Sequence, residues 1–477
     1  MDKFYITTPI YYVNGKPHIG HAYTTVVADV LARWRAAQGM EVVFSTGVDE
    51  NSQKTVDAAK KEGEEIQPYL DRMAEIWEAA WRKLGISNTD FMRTTEDRHL
   101  ETVREFWKRM DAAGDLYRGK YEGLYCKGHE SFLKEDELTP EGLCPDHATK
   151  PEFVSEENYY FRLSRYQKPL MDLYAAHGDF VAPARRFSEV KSFVENGLED
   201  VSFSREGREW GIPVPDDPHQ SIYVWADALV SYATGAGGIE GWEEHPADIH
   251  AVGKDILRFH AVIWPAMLMS AGLPLPGQII ANGFLTAGGV KMGKSLGNAV
   301  DPLALAERYG ADALRYFLLR ETPYGEDGDF SEEKLRERYN GDLANGLGNF
   351  AARVLALAEK EELAPAETDD GFGQAIAEMR RAAAEKTGEF RFGDALAAVW
   401  KAIAFGDRYI NEKKVWEIKD PAERRRALSN LAALLEGAAE TLDPFLPSTS
   451  AKIKEAFIRD GAVLRARKIP ALFPRIA

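Results

Sequence analysis

The spacing of apolar residues near the N-terminus changes from the period of a strand to that of a helix and back. Residues 3–13 alternate and then run apolar, which indicates a strand that ends before the Asn-Gly-Lys-Pro turn at 14–17. From Gly20 to about Gln38 apolar side chains recur at helical spacing, and 41–47 form a second short apolar run. Strand, turn, helix and strand predict a βαβ unit, and therefore a parallel sheet with a binding crevice at the carboxyl ends of its strands.

The remainder of the chain divides into regions that differ in residue composition and in hydrophobic pattern. Aromatic, charged and turn-forming residues dominate from Tyr117 to about Pro218, alternating strand and helix patterns resume at Ser221, and amphipathic helical spacing prevails from about Ser331. We therefore predict an α/β fold, with a Rossmann-type parallel-sheet domain, an inserted connective domain and an all-α bundle. The predicted ranges are 1–116 and 221–330 for the two halves of the parallel-sheet domain, 117–220 for the insertion and 331–477 for the linker and bundle.

Composition narrows the possible partners and compartments. The formal charge of −17 excludes a surface that binds polyanions everywhere, so nucleic-acid contacts should be local, for example at the basic stretch 451–477. No apolar run reaches the roughly 20 residues that a membrane helix needs, and the N-terminus lacks the pattern of a signal peptide. Two cysteines are too few for a disulfide framework, so we expect a cytoplasmic protein with no membrane contact.

Two motifs are suited to handling phosphates. His18-Ile19-Gly20-His21 lies where the first strand has ended and the first helix begins, so backbone N–H groups and the helix dipole favour an anion there. Its two imidazoles can donate hydrogen bonds to phosphate oxygens as charge develops, although a capping turn that merely contains histidines is the alternative. Lys291-Met292-Gly293-Lys294-Ser295 is flanked by glycines and can close over a triphosphate; the alternative is a solvated basic turn.

In this order, the two motifs resemble the HIGH and KMSKS signatures of the class I aminoacyl-tRNA synthetases. The segments 7–15 and 223–228 resemble the methionyl-tRNA synthetases within that class, and Gly253-Lys254-Asp255 resembles the GKD segment, whose carboxylate can hold ribose hydroxyls. The resemblance implies catalysis by His18, His21, Lys291 and Lys294. The ATP-binding residues that it implies are His18, Gly20, His21, Gly253, Asp255, Lys291, Lys294 and Ser295.

The implied reaction is that of a methionine–tRNA ligase. Methionine and ATP, with Mg²⁺, give methionyl-adenylate and pyrophosphate, and the methionyl group then passes to the 3′ end of tRNA(Met) with release of AMP. A thioether binds well between aromatic faces, so a methionine pocket should be aromatic, and Asp49 at the carboxyl edge of the sheet suits an α-ammonium group. Core packing is the alternative role for Trp225 and Tyr232. The implied methionine-binding residues are Ile10, Tyr12, Asp49, Trp225, Ala228, Tyr232, Ile256 and His260.

Two Cys-x-x-His pairs in the predicted insertion use both cysteines of the chain. Cys126 with His129 and Cys144 with His147 match a tetrahedral structural Zn²⁺ site, whereas buried core thiols or a disulfide are the alternatives. The family often carries such a zinc knuckle, with Cys at the place of His129 in some relatives, and we expect it to position the acceptor end of tRNA.

The predicted bundle contains residues suited to reading unstacked bases. Asn349 and Arg353 lie four apart on one helix face, and Trp416 offers a stacking surface. Both segments resemble the anticodon-reading parts of the family, which implies contacts to the CAU anticodon; a helix-cap network and a core tryptophan are the alternatives. Two further departures from the family pattern are Gly293 in place of Ser and Val415 in place of Pro.

The chain has no counterpart of the dimerisation module that many relatives append, from which we expect a monomer. Two other functional hypotheses remain at this point. A small-molecule nucleotidyltransferase would share the histidine motif but not require residues 345–477, and a non-catalytic tRNA-binding relative would keep the bundle without a working loop.

Overall fold

The computed structural model describes residues 2–126, 131–133, 135–145, 149–207, 210–292, 299–363, 368–460 and 463–476. The strands are, in chain order, β1 (Lys3–Tyr12), β2 (Glu41–Asp49), β3 (Asp90–Arg93), β4 (Leu116–Cys126), β5 (Ser131–Leu133), β6 (Glu152–Phe161), β7 (Val181–Ala182), β8 (Val201–Ser202), β9 (Ser204–Glu206), β10 (Pro213–Val214), β11 (Asp217–Ile222), β12 (Ile249–Gly253), β13 (Gln278–Asn282), β14 (Leu285–Ala287), β15 (Val290–Lys291), β16 (Gly328–Phe330), β17 (Phe457–Asp460) and β18 (Val463–Ala466).

The helices alternate with the strands in the first two thirds of the chain and dominate the last third. They are, in chain order, α1 (Ile19–Ala37), α2 (Gln53–Glu62), α3 (Ile66–Lys83), α4 (Asp97–Ala112), α5 (Gln167–Ala176), α6 (Ala184–Glu195), α7 (Val224–Gly235), α8 (Gly238–Glu244), α9 (Trp264–Ala271), α10 (Pro302–Tyr309), α11 (Ala311–Glu321), α12 (Glu332–Arg338), α13 (Asn349–Ala358), α14 (Asp370–Gly388), α15 (Phe392–Lys413), α16 (Pro421–Leu442) and α17 (Pro447–Glu455). Two π-helical segments, Phe259–Ile263 and Tyr339–Gly348, lead into α9 and α13.

The predicted parallel sheet is confirmed. Six strands pair in the order β3-β2-β1-β12-β13-β7, and every neighbouring pair is parallel. Most of β1 is buried because helices cover both faces of the sheet, which explains its nearly continuous apolar run. The chain leaves β1 toward β2 on one side and reaches β12 on the other, so the strand order reverses between β1 and β12. Ligands of open α/β sheets bind at such a reversal.

The region predicted as an insertion builds a second sheet and also returns to the first. Strands β5, β4, β6 and β8 form a four-stranded antiparallel sheet, in which β4 and β6 make a long ladder. Between β6 and β8, however, Val181–Ala182 pairs in parallel with β13 and adds the edge strand to the six-stranded sheet. A strand of two residues has no hydrophobic period, so the sequence pattern does not distinguish it from the surrounding insertion.

The C-terminal third is helical, as predicted, with one exception to the all-α expectation. Strands β17 and β18 form an antiparallel hairpin after α17, and Leu464 of this hairpin makes a bridge to Leu363. Apolar side chains of the bundle share one continuous core with α1 and with one face of the parallel sheet, whereas the other face packs against α4, α7, α9 and the insertion.

A buried ion pair links the first helix to the end of the bundle. Asp29 of α1 lies 2.6 Å from Arg315 of α11, and both side chains are fully buried. The same guanidinium donates to the carbonyl oxygens of Pro444 and Phe445 at 2.8 Å each. Burial opposes ionisation of Asp29, but the Arg315 and Arg33 charges outweigh it and hold the pKa of the carboxyl below its usual value. Both charges are therefore compensated at the junction of the two regions.

Candidate active site

The histidine motif forms the N-terminal cap of α1. His18 has an extended backbone (φ −121°, ψ 169°), and its Nδ1 accepts a hydrogen bond from the backbone N–H of Gly20 at 3.1 Å. In return, Nδ1 of His21 accepts from the backbone N–H of His18 at 3.2 Å, so the two side chains form a reciprocal capping box. The imidazoles stack with their ring centroids 3.5 Å apart. The capping role weighed in the sequence analysis is thus real.

Capping also selects the tautomer of both rings. Because each Nδ1 accepts a backbone N–H, it carries a lone pair, and the ring hydrogen of each neutral imidazole is on Nε2. The cap therefore turns His18 and His21 into two oriented Nε2–H donors at the positive end of a helix dipole. Capping and anion binding are compatible functions of the same side chains.

Gly20 and a group of aromatic rings hold this cap in place. A Cβ atom at position 20 would lie 3.0 Å from Cε1 of His18, so Gly20 makes room for the capping ring. The His21 ring packs against Tyr11 and Trp77, with centroids 4.9 and 5.0 Å away. Trp77 is anchored in turn, because its Nε1–H donates to the carbonyl of Gly15 at 3.1 Å.

The chain that follows the basic loop returns to the start of α1. The backbone N–H of Ile19 donates to the carbonyl of Val300 at 3.0 Å. Strands β14 and β15 lead into the loop, and β15 ends at Lys291, whereas Gly293, Lys294 and Ser295 lie outside the described residues. After the loop, Asp301 caps α10 by accepting from Leu303 and Ala304. The histidine cap and the residues that follow the basic loop are therefore in direct contact.

The GKD segment follows β12, on the other side of the strand reversal from β2. Gly253 ends that strand, and a Cβ atom there would lie 2.7 Å from Oδ1 of Asp255, so the glycine permits the position of the carboxylate. Lys254 points to Asp327, with which it makes an ion pair of 2.6 Å. Asp255 is exposed, as a group that meets a soluble ligand must be.

Three half-buried aromatic side chains form a wall near the ends of β1 and β12. Trp225 stacks on Phe259 with centroids 3.9 Å apart and an interplanar angle of 12°, and Tyr12 meets Trp225 edge-on at 6.4 Å. Phe259 lies directly before His260. Only that position in the sequence pointed to it, because it belongs to none of the motifs. Such partly open aromatic faces suit a polarizable thioether.

Behind this wall, Tyr232 and His260 form a buried polar pair. The Tyr232 hydroxyl and Nε2 of His260 are 2.5 Å apart, and Nδ1 of His260 is 2.8 Å from the carbonyl of Ile256. The carbonyl can only accept, so Nδ1 carries the hydrogen and Nε2 accepts from the tyrosine. Burial lowers the pKa of His260 from 6.5 to about 4, which keeps the ring neutral at physiological pH. His250 packs on Tyr232, and burial lowers its pKa in the same direction.

The remaining residues assigned to methionine lie on neighbouring elements. Asp49 ends β2, is 3% exposed and pairs in register with Tyr12 of β1. Its Oδ1 accepts from the backbone N–H of Asn51 at 3.1 Å. Ile10 lies just after the irregularity in the β1–β2 ladder, and Ala228 is buried on α7, one turn before Tyr232.

The cysteines assigned to zinc are both buried, with exposures of 1% for Cys126 and 0% for Cys144. They are thiols rather than a disulfide, which removes one of the alternatives. Cys126 ends β4 opposite Ser131, and the backbone N–H of Cys144 donates to Thr149. His129 and His147 lie outside the described residues, and within the described ranges no three His, Cys, Asp or Glu side chains are grouped to hold a metal.

The anticodon candidates occupy the surface of the bundle. Asn349 is exposed at the start of α13 and lines a groove with Asn345 and Arg475. Arg353 contacts Asp407 at 2.9 Å and Asn411 at 2.7 Å, so its guanidinium is held against α15. Trp416 is 48% exposed, which argues against a role in the core.

The fold and the arrangement of the site agree with comparisons to known proteins. A family model described as "tRNA synthetases class I (M)" matches residues 4–151 and 146–355. The chain belongs to this family of class I aminoacyl-tRNA synthetases.

Relatives of the chain within the class are methionine–tRNA ligases. The methionine–tRNA ligase of Thermotoga maritima is 44% identical over 471 residues, which cover 94% of this chain and 74% of that protein. The Mesorhizobium japonicum methionine–tRNA ligase is 42% identical over 99% of this chain and 98% of its own length. A solved structure of Mycobacterium tuberculosis methionyl-tRNA synthetase in complex with methionyl-adenylate is 38% identical, with a TM-score of 0.93 and full coverage of both chains.

None of the helices in the described part of the chain has both the length and the apolar character that crossing a bilayer requires.

Proposed function

We propose that this protein is a methionine–tRNA ligase. It activates L-methionine with ATP to methionyl-adenylate and pyrophosphate, and then transfers methionine to the 3′ end of tRNA(Met) with release of AMP. The observation that carries the proposal is the capping box of His18 and His21, which aims two Nε2–H donors from a helix N-terminus beside the exit of the basic loop. The methionine specificity of the relatives supports the choice of amino acid.

In the first step, a carboxylate oxygen of methionine attacks the α-phosphorus of ATP, and the bond to the pyrophosphate oxygen breaks. ATP enters as its Mg²⁺ complex, and the enzyme supplies position and charge rather than a covalent nucleophile. His18 and His21 donate to phosphate oxygens that gain charge in the transition state, and Lys291 and Lys294 stabilise the departing pyrophosphate. Asp255 accepts from the ribose hydroxyls, and Gly20, Gly253 and Ser295 belong to the same nucleotide site.

Methionine recognition combines one charged contact with an aromatic pocket. Asp49 binds the α-ammonium group, while the thioether contacts the faces of Tyr12 and Trp225. The Tyr232 hydroxyl donates to His260, so its oxygen lone pairs remain as a polar surface near the sulfur. Ile10, Ala228 and Ile256 complete the apolar wall, and the neutral state of His260 keeps a buried charge away from it.

For tRNA, we propose that the bundle contacts the anticodon through Asn349, Arg353 and Trp416. The exposure of Trp416 supports base stacking, and contacts of Arg353 to two α15 side chains orient its guanidinium. The cytoplasm, where tRNA is charged, is the proposed location.

We also propose that Cys126, His129, Cys144 and His147 hold a structural Zn²⁺. Two buried thiols, one at the end of β4 and one in the segment between β5 and β6, fit the ligand chemistry of zinc. The ion would join these two segments and so shape the insertion that faces the acceptor end of tRNA. Protein purified without chelator should contain one zinc per chain, and Cys144→Ser should lose it. Metal-free wild-type protein with both thiols readily titrated would refute the site.

The decisive experiment is amino-acid-dependent pyrophosphate–ATP exchange, measured with each proteinogenic amino acid, followed by charging of tRNA(Met). We expect exchange with methionine and methionyl-tRNA as product. Exchange with isoleucine, valine, leucine or cysteine but not with methionine would overturn the specificity. Exchange without charging would indicate an adenylate-forming enzyme of another kind, and absence of both would indicate a non-catalytic relative.

A further inference from the structure

Asn51 lies two residues after Asp49 and is held on three sides. Its backbone N–H donates to Oδ1 of Asp49 at 3.1 Å. Its side-chain amide donates to Oδ2 of Asp227 at 3.0 Å and to the carbonyl oxygen of Thr94 at 3.3 Å. Both amide hydrogens of Asn51 are therefore used to fix the segment that directly follows Asp49 at the end of β2.

Asp227 is fully buried on α7, between the predicted pocket residues Trp225 and Ala228. Its second oxygen, Oδ1, lies 3.6 Å from Nε2 of His99, whose ring is also fully buried. Among the described residues neither Oδ1 of Asp227 nor Nε2 of His99 has a hydrogen-bond partner. A buried carboxylate oxygen without a hydrogen-bond partner destabilises the folded protein, so the position of Asp227 needs an explanation.

The hydrogen bonds around His99 explain it. Thr234 donates its hydroxyl hydrogen to the carbonyl of Val230, so its oxygen accepts from Nδ1–H of His99 at 2.9 Å. Nε2 of His99 then faces Oδ1 of Asp227, and without a hydrogen between the two atoms their lone pairs repel. A proton on the Asp227 carboxyl removes this repulsion, and the 3.6 Å between Oδ1 and Nε2 makes the contact an electrostatic one rather than a hydrogen bond. Burial raises the pKa of the Asp227 carboxyl, which is consistent with that proton.

We propose that Asp227 is a positioning residue of the amino-acid site: it fixes Asn51, and through Asn51 it orients the Asp49 carboxylate toward the α-ammonium group of methionine. The His99 ring lies behind Asp227, with Nε2 3.6 Å from Oδ1. The inference rests on the proposed function, since it takes Asp49 as the ammonium-binding group. One turn of α7 thus carries two residues of the proposed site. Trp225 is an aromatic wall of the pocket, and Asp227 fixes the segment next to the charged contact at Asp49.

The role is one of hydrogen bonding, which makes Asp227→Asn a conservative variant. An amide at position 227 can still accept from Asn51 with its oxygen, and its nitrogen presents a hydrogen rather than a lone pair to Nε2 of His99. Asp227→Ala can do neither. Asp227→Ala leaves the Asn51 amide without its acceptor on α7 and frees the segment after Asp49, so we expect the methionine KM to rise about tenfold and the ATP KM to stay nearly unchanged. We expect Asp227→Asn to stay within about threefold of wild type.

The test is pyrophosphate exchange with methionine and ATP varied separately, on full-length Asp227→Ala, Asp227→Asn, Asn51→Ala and the double variant Asp227→Ala/Asn51→Ala. If Asp227 acts through Asn51, the double variant raises the methionine KM no further than the larger single variant. Asp115→Ala is the matched control, because Asp115 is also buried and hydrogen-bonded but lies at the junction of α4 and β4, with its partners Arg165, Tyr166 and Ser270.

Three results would overturn the inference. They are a methionine KM of Asp227→Ala equal to that of Asp115→Ala, additive effects in the double variant, and an Asp227→Asn variant as impaired as Asp227→Ala. Should Asp227→Ala fail to fold, Asn51→Ala tests the same contact from the half-buried side, and an unchanged methionine KM there is equally contradictory. Wild-type protein without methionine-dependent exchange would instead refute the proposed function itself.

Discussion

The two ends of the crevice, which are the proposed sites for the nucleotide and for the amino acid, are built differently. At the nucleotide end, the cap joins His18 to Gly20 and His21, which are neighbours in sequence. At the amino-acid end, Tyr232 meets His260 from another helix, and Asn51 meets Asp227, 176 residues further along the chain. The nucleotide end is thus preorganised by a helix terminus, whereas the amino-acid end depends on the packing of α7 against the sheet. We expect substitutions at the nucleotide end to change the reaction rate, and substitutions at the amino-acid end to change the affinity for methionine.

The largest effect should come from His18, which has two separable roles. His18→Ala removes both the cap and the Nε2–H donor, whereas Asn at position 18 can still cap the helix. We expect both variants to slow methionyl-adenylate formation about 100-fold, because each loses a donor to the transition state. Only His18→Ala should also lose about 1 kcal/mol of stability. Single-turnover kinetics and thermal unfolding measure the two; an Asn variant of normal rate would mean that the ring matters only as a cap.

Tyr232→Phe should have the next largest effect, which we expect to be a loss of affinity for methionine. It leaves Nε2 of His260 as a buried acceptor without its donor, which costs about 1–3 kcal/mol. We expect the methionine KM to rise about tenfold while the ATP KM stays constant. Tyr316→Phe is the matched control, since it removes a buried hydroxyl that donates to Asp342, a bundle residue. Equal KM values in the two variants would contradict a role for Tyr232 in the pocket.

A smaller effect concerns the pH dependence of stability. His260 has its pKa lowered from 6.5 to about 4, so between these values the unfolded chain binds a proton that the folded chain does not. The free energy of unfolding therefore falls as pH decreases through this window, by about 1 kcal/mol per pH unit from this group, and levels off below pH 4. His260→Gln removes this contribution. Urea unfolding of both proteins from pH 6.5 to 4.5 should give a steeper decline for wild type; parallel declines would place the imidazole in a more solvated site.

The smallest effect on methionine activation should come from Trp416→Ala, since this exposed side chain lies in the bundle. Exchange should be unchanged and stability should alter by no more than about 0.5 kcal/mol. Charging of tRNA(Met) should nevertheless weaken, because stacking of a base on an aromatic ring contributes about 1–3 kcal/mol. Charging kinetics at varied tRNA concentration measure this, and an unaltered KM for tRNA would remove Trp416 from the proposed interface.

What the sequence predicts well follows from this contrast. The first βαβ unit and the cap at His18 depend on period and on neighbours within one helical turn, so both could be inferred from the printed sequence. Phe259, Asn51 and Asp227 were not selected, because their significance arises only when distant segments meet. The edge strand at Val181–Ala182 and the hairpin after α17 were likewise missed, since strands of two to four residues carry no measurable period. Zinc ligation at His129 and His147 stays a prediction.

The ion pair of Asp29 and Arg315 has a practical consequence for anyone who wishes to divide this chain. The boundary near residue 331 marks a change of texture, but the carbonyl groups that receive Arg315 belong to Pro444 and Phe445, more than a hundred residues beyond it. A fragment that ends there would leave this guanidinium short of its acceptors and the shared apolar core uncovered. The parallel-sheet region and the helical bundle should therefore melt in one calorimetric transition, and a shorter enzyme without the bundle would have to be redesigned at this junction rather than simply cut out.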